Sequence, residues 1–305
     1  MAYEIAYREL VSCVTGSVKS DELMARHTTY RVGGPAALYL VVDSLSDLQN
    51  AARILGEYSI EFMILGKGSN VLVYDAGYDG AIIVLGKEFR RHEYADGLLR
   101  CGAGAVLGHV VQDAFALGLS GLEFAVGVPG TVGGALAMNA GSREDWIGSR
   151  VDSVTVWTPE GGLAGVRGHE VSWGYRRSDL SDRGVIIECG LRVEHGDPVT
   201  IRRSMEAALR RRKQTQPVGV ACAGSVFVNP PGSSAGLLIE QAGLKGHRMG
   251  GAVVSDVHAN FIVNDGGATA NDIAHVIRLV YSTVKEVHGI ELRPEIRFIG
   301  AFDEA

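Results

Sequence analysis

Apolar positions recur along the chain at two periods. Ala37-Leu38-Tyr39-Leu40-Val41-Val42 is a continuous apolar run of strand length, as are Phe62-Met63-Ile64-Leu65, Val71-Leu72-Val73 and Ala81-Ile82-Ile83-Val84-Leu85. Leu48, Ala51, Ala52 and Leu55 repeat instead at helical spacing, and Ser46 as cap predicts a helix through Tyr58. Up to about residue 87 this makes a small α/β layer. Between 88 and 200 short strands and glycine turns dominate. Val106 to Leu117 predicts a helix with Val110 and Ala114 inward. Val151 to Trp157 alternates as a half-buried strand does, and Thr158-Pro159-Glu160-Gly161-Gly162 marks a turn. A helix from Val199 to Lys213 leads into a third region and stops before Pro217. The last helix has the clearest signature. Thr269-Ala270-Asn271-Asp272 reads as a capping box, Ile273, Val276, Ile277, Val280 and Val284 follow at helical spacing, and Gly289 closes it. Glu291 to Ile299 predicts a closing strand interrupted by Pro294. The pattern is mixed α/β (α+β), with breaks near 87 and 200.

The chain has 305 residues, enough for two or three domains, and its 46% hydrophobic and 21% charged content excludes a disordered chain. Glycine, at 41 residues, is about twice its usual share and has no three-residue period. Such enrichment points to main chain packed close to a ligand. The net charge of −6 gives no basic face for a nucleic acid. Arg210-Arg211-Arg212-Lys213 reads as a solvated helix face, with anionic-ligand contact as the alternative. Cys13, Cys101, Cys189 and Cys222 form no C-x-x-C pair, and His27, His247 and His258 have no metal-ligand spacing, so no metal is expected. Residues 124–142 carry no charge, but Pro129, five glycines and Asn139 argue for buried loop and turn rather than a membrane span. MAYEIAYREL has no signal-peptide pattern. These features together lead us to expect a cytoplasmic protein with no membrane insertion, no nucleic acid and no obligatory protein partner.

The glycine motifs are not the familiar ones. Gly66-Lys67-Gly68 and Gly102-Ala103-Gly104 both lack the third glycine of G-x-G-x-x-G, and no P-loop pattern occurs. Gly66-Lys67-Gly68-Ser69-Asn70 can still converge main-chain N–H groups on an anion, with Ser69 and Asn70 adding donors; taken alone it reads rather as a tight strand-to-strand turn. Gly127-Val128-Pro129-Gly130-Thr131-Val132-Gly133-Gly134-Ala135, followed by Asn139-Ala140-Gly141, would let a planar or phosphorylated ligand lie against main chain, or lets two glycine-rich strands pack. Two such loops favour a dinucleotide held without the Rossmann fingerprint.

In combination and order, several segments resemble the UDP-N-acetylenolpyruvoylglucosamine reductase family, in its shorter type. They are Thr28 to Ala36, Leu65 to Asn70, Gly121-Leu122-Glu123-Phe124, Gly127 to Gly141, Gly174-Tyr175-Arg176-Arg177-Ser178, Ala223 to Pro230, Ala235 to Asn264, and Leu292-Arg293-Pro294-Glu295. The resemblance spans about residues 25–300. It implies a two-subdomain FAD-binding region of the FAD-linked oxidase type, residues 1–87 and 88–200, with the terminal strand 296–305 returning to the first. Residues 201–295 would form a C-terminal α/β substrate-binding domain. It further implies noncovalent FAD, NADPH as reductant and a UDP-sugar substrate whose enolpyruvyl group is reduced. Flavin contacts are expected at Tyr30, Gly33, Gly66, Lys67, Gly68, Ser69, Asn70, Gly127, Pro129, Gly130, Thr131, Gly133, Gly134, Ala135, Asn139 and Gly141. Cys222 stands where a smaller residue is expected. Val228 stands where the family often has Lys, a cationic role that falls to Lys213 or Lys245.

Within that resemblance three residues carry the chemistry. Arg176, always charged and able to fork onto a carboxylate, would stabilise negative charge on the enolpyruvyl group. Ser225 would give the proton, which for so weak an acid needs charged neighbours. Glu295, after Pro294, would hydrogen-bond the enolate. Tyr175 and Asn229 would position substrate. Taken singly, these residues also read as a surface ion pair, a turn serine and an exposed strand carboxylate. The alternative function is another FAD-linked oxidoreductase, acting on a hydroxy acid or sugar; a third is a noncatalytic flavin or nucleotide-sugar binding protein.

Overall fold

The helix Leu45–Glu57 begins where Ser44, in extended conformation, accepts the Asp47 N–H at 3.1 Å. The cap is therefore Ser44 rather than the expected Ser46. Leu48, Ala51, Ala52, Ile54 and Leu55 form its buried face. Asp47 is only 2% exposed and accepts the Thr15 N–H and hydroxyl and the Asp43 N–H. Burial disfavours its charge, but these hydrogen bonds win and hold its carboxyl below the ordinary range.

This computed structural model describes residues 2–142 and 144–300. The chain forms two compact units. The first comprises residues 2–20, 38–66 and 80–211, and the second residues 21–37, 67–79 and 212–300 among those described. The chain passes between them within the strands Ser17–Leu23, Pro35–Val42 and Tyr78–Leu85, the loop at Gly66 and the helix Pro198–Thr215.

The first unit has two main sheets. One runs in the order Ser17–Leu23, Pro35–Val42, Tyr78–Leu85, Phe62–Ile64, and the last two strands pair in parallel with Met63 opposite Ile82. The other is antiparallel throughout, in the order Gly162–Arg167, Val151–Thr158, Val185–Arg192, Leu98–Gly102, His92–Ala95. The expected turn at 158–162 closes its first hairpin, with Gly162 opposite Thr158. Cys101 and Cys189 face each other across two strands as free thiols. Burial pushes Cys101 up to about 12 and Cys189 well above its ordinary range, so neither is a nucleophile. A single apolar core runs from Ala6 and Leu10 of the helix Ala2–Cys13, unforeseen in the sequence, through to Ile201 and Met205.

The second unit is built on the helix Ala270–His288. Its capping box of Thr269 and Asp272 is present, and Gly289 ends it at φ 68°. The Asp75 carboxylate adds a second cap, accepting the N–H groups of Ala270 at 2.8 Å and Asn271 at 2.9 Å. Ile273, Val276, Ile277, Val280 and Val284 enter a core with Tyr30, Leu72, Val226 and Phe227. A sheet in the order Ala221–Cys222, Ile262–Asn264, Ala252–Val254, Arg248–Met249 packs here, and Arg297–Ile299 pairs in parallel with Val71–Val73. Residues 301–305 of the expected terminal strand lie outside the described residues.

Two expectations are corrected. Residues 124–142 are not all loop and turn: a short helix, Val132–Ala137, forms because the Thr131 hydroxyl accepts the Gly134 N–H at 3.2 Å. The closing strand does not span 291–299. Only Arg297–Ile299 is strand, and Pro294, which has no N–H, makes an isolated bridge with Phe227.

Candidate active site

The segment Gly66 to Asn70 is a tight loop held by its carbonyls. Gly68 sits at φ 61°, and its oxygen accepts the Thr29 N–H at 3.0 Å and hydroxyl at 3.3 Å. A Cβ on Gly68 would lie 2.1 Å from the His27 carbonyl oxygen, so the glycine is demanded by the fold itself. A Cβ on Gly66 would meet the Thr131 hydroxyl at 2.6 Å, which joins the first expected loop to the second within the first unit. Lys67 is exposed and Ser69 half-buried. Asn70 Nδ2 donates to the Glu295 carbonyl at 3.1 Å, and its own carbonyl accepts the Arg297 N–H at 3.0 Å.

The second loop is similarly anchored. The Gly130 carbonyl accepts from Leu107 N–H, and the Gly133 N–H donates to Ala103. Pro129 and Gly134 are exposed, whereas Ala135 is buried in the core. Gly33 and Gly141 have positive φ and no room for a Cβ, which would lie 2.8 Å from Val73 Cβ and 2.3 Å from the Asp145 oxygen respectively. Among the described residues the N–H groups of Lys67, Gly68, Gly127 and Gly130 meet no acceptor. The Tyr30 hydroxyl is buried without a hydrogen-bond partner, which is costly for a polar group. Taken unit by unit, the Gly127 and Gly130 donors of the first, and the Lys67 and Gly68 donors and orphaned Tyr30 hydroxyl of the second, each suit the polar groups of a phosphorylated dinucleotide such as FAD.

Asn139 behaves differently from its loop neighbours. It is 6% exposed with φ 43°; its Nδ2 donates to the Gly174 carbonyl at 2.9 Å and its Oδ1 accepts the Gly148 N–H at 3.1 Å. It therefore ties down the turn Gly174–Arg177, whose end residues exchange hydrogen bonds in both directions. Tyr175 and Arg176 occupy the tip. Arg176 has φ 59°, a left-handed conformation uncommon outside glycine, and its Nη1 donates to the Gly141 carbonyl at 2.7 Å. Its guanidinium lies over the 38%-exposed Tyr175 ring, 5.4 Å from the centroid. Ser178 N–H and hydroxyl both reach the carbonyls of the short helix, at Ala137 and Leu136. The strained backbone is thus held from three directions.

In the second unit Ser225 and Glu295 come onto neighbouring segments. The Glu295 N–H donates to the Val226 carbonyl at 2.7 Å, and the Val228 N–H donates to Arg293 at 2.9 Å. Both residues are half-buried. Gly224, at φ 77° with open space where a Cβ would be, precedes the serine. Asn229 Oδ1 accepts the Ala235 N–H at 2.9 Å. Cys222 lies in the strand Ala221–Cys222 opposite Val263, its thiol raised by burial. Sequence reasoning passed over Asn260, whose signal was a polar residue set between Ala259 and the apolar run Phe261-Ile262-Val263. It is 3% exposed and bonds twice to the Phe227 main chain through its side chain.

An open cleft of about 520 Å³ in the first unit, between Trp146, Trp173, Arg167 and Arg192, is lined by none of these candidates. Among the described residues no cluster could hold a metal ion, and no helix is long and apolar enough to cross a membrane.

Residues 36–166 match a family of FAD binding domains, and residues 216–299 match the UDP-N-acetylenolpyruvoylglucosamine reductase C-terminal domain. A UDP-N-acetylenolpyruvoylglucosamine reductase of Heliobacterium modesticaldum is 44% identical over 93% of this chain and 91% of its own. The crystal structure of the enzyme of that name from Thermus caldophilus superposes with a TM-score of 0.83 at 36% identity, over 93% of this chain and 100% of the other. The wild-type BBE-like 1 protein of Physcomitrella patens, 12% identical with a TM-score of 0.59 over 92% of this chain and 88% of its own, shares the fold alone.

Proposed function

The chain belongs to the UDP-N-acetylenolpyruvoylglucosamine reductase family, and on that footing we propose how its own side chains divide the work. It is an FAD- and NADPH-dependent oxidoreductase that acts on the enolpyruvyl sugar nucleotide in peptidoglycan precursor synthesis. FAD, when bound, supplies the hydride that NADPH delivers.

The loops Gly66–Asn70 and Gly127–Gly141, with Tyr30 and Gly33, would hold the cofactor by main-chain donors and by the buried tyrosine hydroxyl. Residues 1–87 and 88–200 would carry the flavin, and 201–295 the sugar nucleotide. Arg176, pinned at its strained turn, meets the carboxylate on which negative charge develops; a guanidinium fixed before the reaction has no reorganisation cost when that charge appears. Ser225 then gives its proton to the enolate carbon. Glu295 hydrogen-bonds the enolate oxygen in its acid form. Tyr175 and Asn229 align the substrate. With Val228 in place of a lysine, Lys213 or Lys245 supplies the cation for a phosphate. Its free cysteines and its activated-sugar substrate favour the cytoplasm, with no obligatory protein or nucleic-acid partner.

The observation that supports this reading most is the main-chain hydrogen bond from Glu295 to Val226, which sets the proposed proton donor and the proposed carboxylate on paired segments. The test is the visible spectrum of the purified protein under anaerobic conditions. The flavin band should bleach with NADPH and return on addition of the enolpyruvyl sugar nucleotide. A band that NADPH bleaches but that substrate cannot restore would overturn the reading.

A further inference from the structure

Asn260 places three hydrogen bonds on the two residues that follow Ser225. Its side-chain Oδ1 accepts the Phe227 N–H at 2.9 Å and its Nδ2 donates to the Phe227 carbonyl at 2.8 Å. Its main-chain carbonyl accepts the Val226 N–H at 2.8 Å. Its own N–H donates to His258 Nδ1 at 3.2 Å. On the opposite side, Val226 and Val228 are tied to Glu295 and Arg293. The segment after Ser225 is therefore clamped from two sides, while Gly224 before it has φ 77° and open space where a Cβ would be. Clamping Val226 and Phe227 fixes the main chain that carries Ser225, and with it the point from which the hydroxyl reaches out. Proton transfer to carbon is steeply sensitive to such placement, an error of about 1 Å costing on the order of 10²-fold.

We propose that Asn260 is a positioning residue for proton delivery: through its paired hydrogen bonds to Phe227 it fixes Ser225, and with it the register between Ser225 and Glu295. The proposal rests on the reading of Ser225 as proton donor. A buried asparagine kept only for stability would be replaceable without any selective effect on one half-reaction.

The experiment uses the flavin-loaded enzyme and its Asn260→Ala, Ser225→Ala and doubly substituted forms, with Asn260→Asp as the variant that retains the acceptor for Phe227 should Asn260→Ala fail to fold. Flavin reduction by NADPH and reoxidation by the enolpyruvyl sugar nucleotide are timed separately by stopped flow, in H₂O and in D₂O. Asn260→Ala should reduce at the wild-type rate. It should reoxidise roughly 10–100-fold more slowly, with a larger solvent isotope effect, because proton transfer becomes the slower event. In the double variant the two losses should fall well short of additive, since both act through one hydroxyl. Equal slowing of both half-reactions, or additive losses, would make Asn260 structural only and overturn the proposal. If Ser225→Ala itself reoxidises normally, the underlying assignment of the proton donor fails. If Ser225→Ala is slow while Asn260→Ala is normal, the positioning role alone fails.

Discussion

The main-chain N–H of Glu295 donates to the carbonyl of Val226 at 2.7 Å, so residues far apart in sequence stand one hydrogen bond from adjacency. That bond brings together the two motifs Gly224-Ser225-Val226 and Arg293-Pro294-Glu295. Pro294, unable to donate, leaves the pairing to the residues on either side of it.

Arg176 and Glu295 act in this account on charge that exists only once the hydride has moved. Arg176→Ala and Glu295→Gln should each leave NADPH reduction of the flavin intact and slow reoxidation by substrate by roughly 10²–10³-fold, as removal of a single transition-state donor typically does. Rapid-mixing absorbance at the flavin band separates the two. An Arg176→Ala enzyme impaired in reduction and normal in reoxidation would contradict the role given to the arginine.

Gly68 is expected to be a folding residue first. A Cβ there would collide with the His27 carbonyl oxygen and sit in left-handed backbone. Gly68→Ala should therefore lower the melting temperature of the flavin-free protein as well as its flavin content. Unchanged apoprotein stability with lost FAD would instead mean that the glycine serves the phosphate alone.

Asp75 caps the helix Ala270–His288 from outside with two hydrogen bonds. Asp75→Ala should cost about 1–2 kcal/mol in urea unfolding, in the range of lost caps. Asp75→Asn should recover part of it, because the amide oxygen still accepts though without charge. A loss no greater for Ala than for Asn would show that the helix is held by packing alone.

His258 provides a pH dependence. Burial pushes its imidazole below the ordinary histidine range, the Lys245 charge adds to this, and a main-chain hydrogen bond opposes both. Its Nδ1 accepts the Asn260 N–H, so the neutral ring is the one that fits. The unfolded chain binds this proton more readily than the folded one. The stability linked to it is therefore full above the unfolded pKa, near 6.5, and is lost as pH falls toward the lower folded value. His258→Asn, which can keep an acceptor near Nδ1, should flatten the fall in melting temperature between about pH 7 and 5. An identical fall in both proteins would assign it to other groups.

Much of this was legible in the sequence where one short-range rule decides the outcome. The helix Ala270–His288, with its Thr269 and Asp272 box and its Gly289 end, follows from local spacing and capping. So does the hairpin at Thr158 to Gly162. The glycine loops and the motifs around Arg176, Ser225 and Glu295 carried the family resemblance, and the 44% identical relative bears that resemblance out. What local pattern could not supply was pairing across distance. Nothing near Asn139 indicates that its amide joins Gly148 to Gly174, or near Asp75 that it caps a helix nearly two hundred residues on. The six-residue helix Val132–Ala137 was hidden because Val132, Gly133 and Gly134 at its start have low intrinsic helix preference and depend on the Thr131 cap. The helix Ala2–Cys13 was missed because only Ala6 and Leu10 of its face are buried.

The central claim is that the Ser225 hydroxyl delivers the proton. The most direct test is stopped-flow reoxidation of prereduced Ser225→Ala enzyme by the enolpyruvyl sugar nucleotide, beside wild type and Ser225→Cys. The account predicts normal FAD content, normal reduction by NADPH, and reoxidation slowed by about 10²–10⁴-fold, with Ser225→Cys falling between because a thiol can still donate. Reoxidation of Ser225→Ala at the wild-type rate, yielding product of the same configuration, would contradict it and leave Ser225 as a residue of the turn alone.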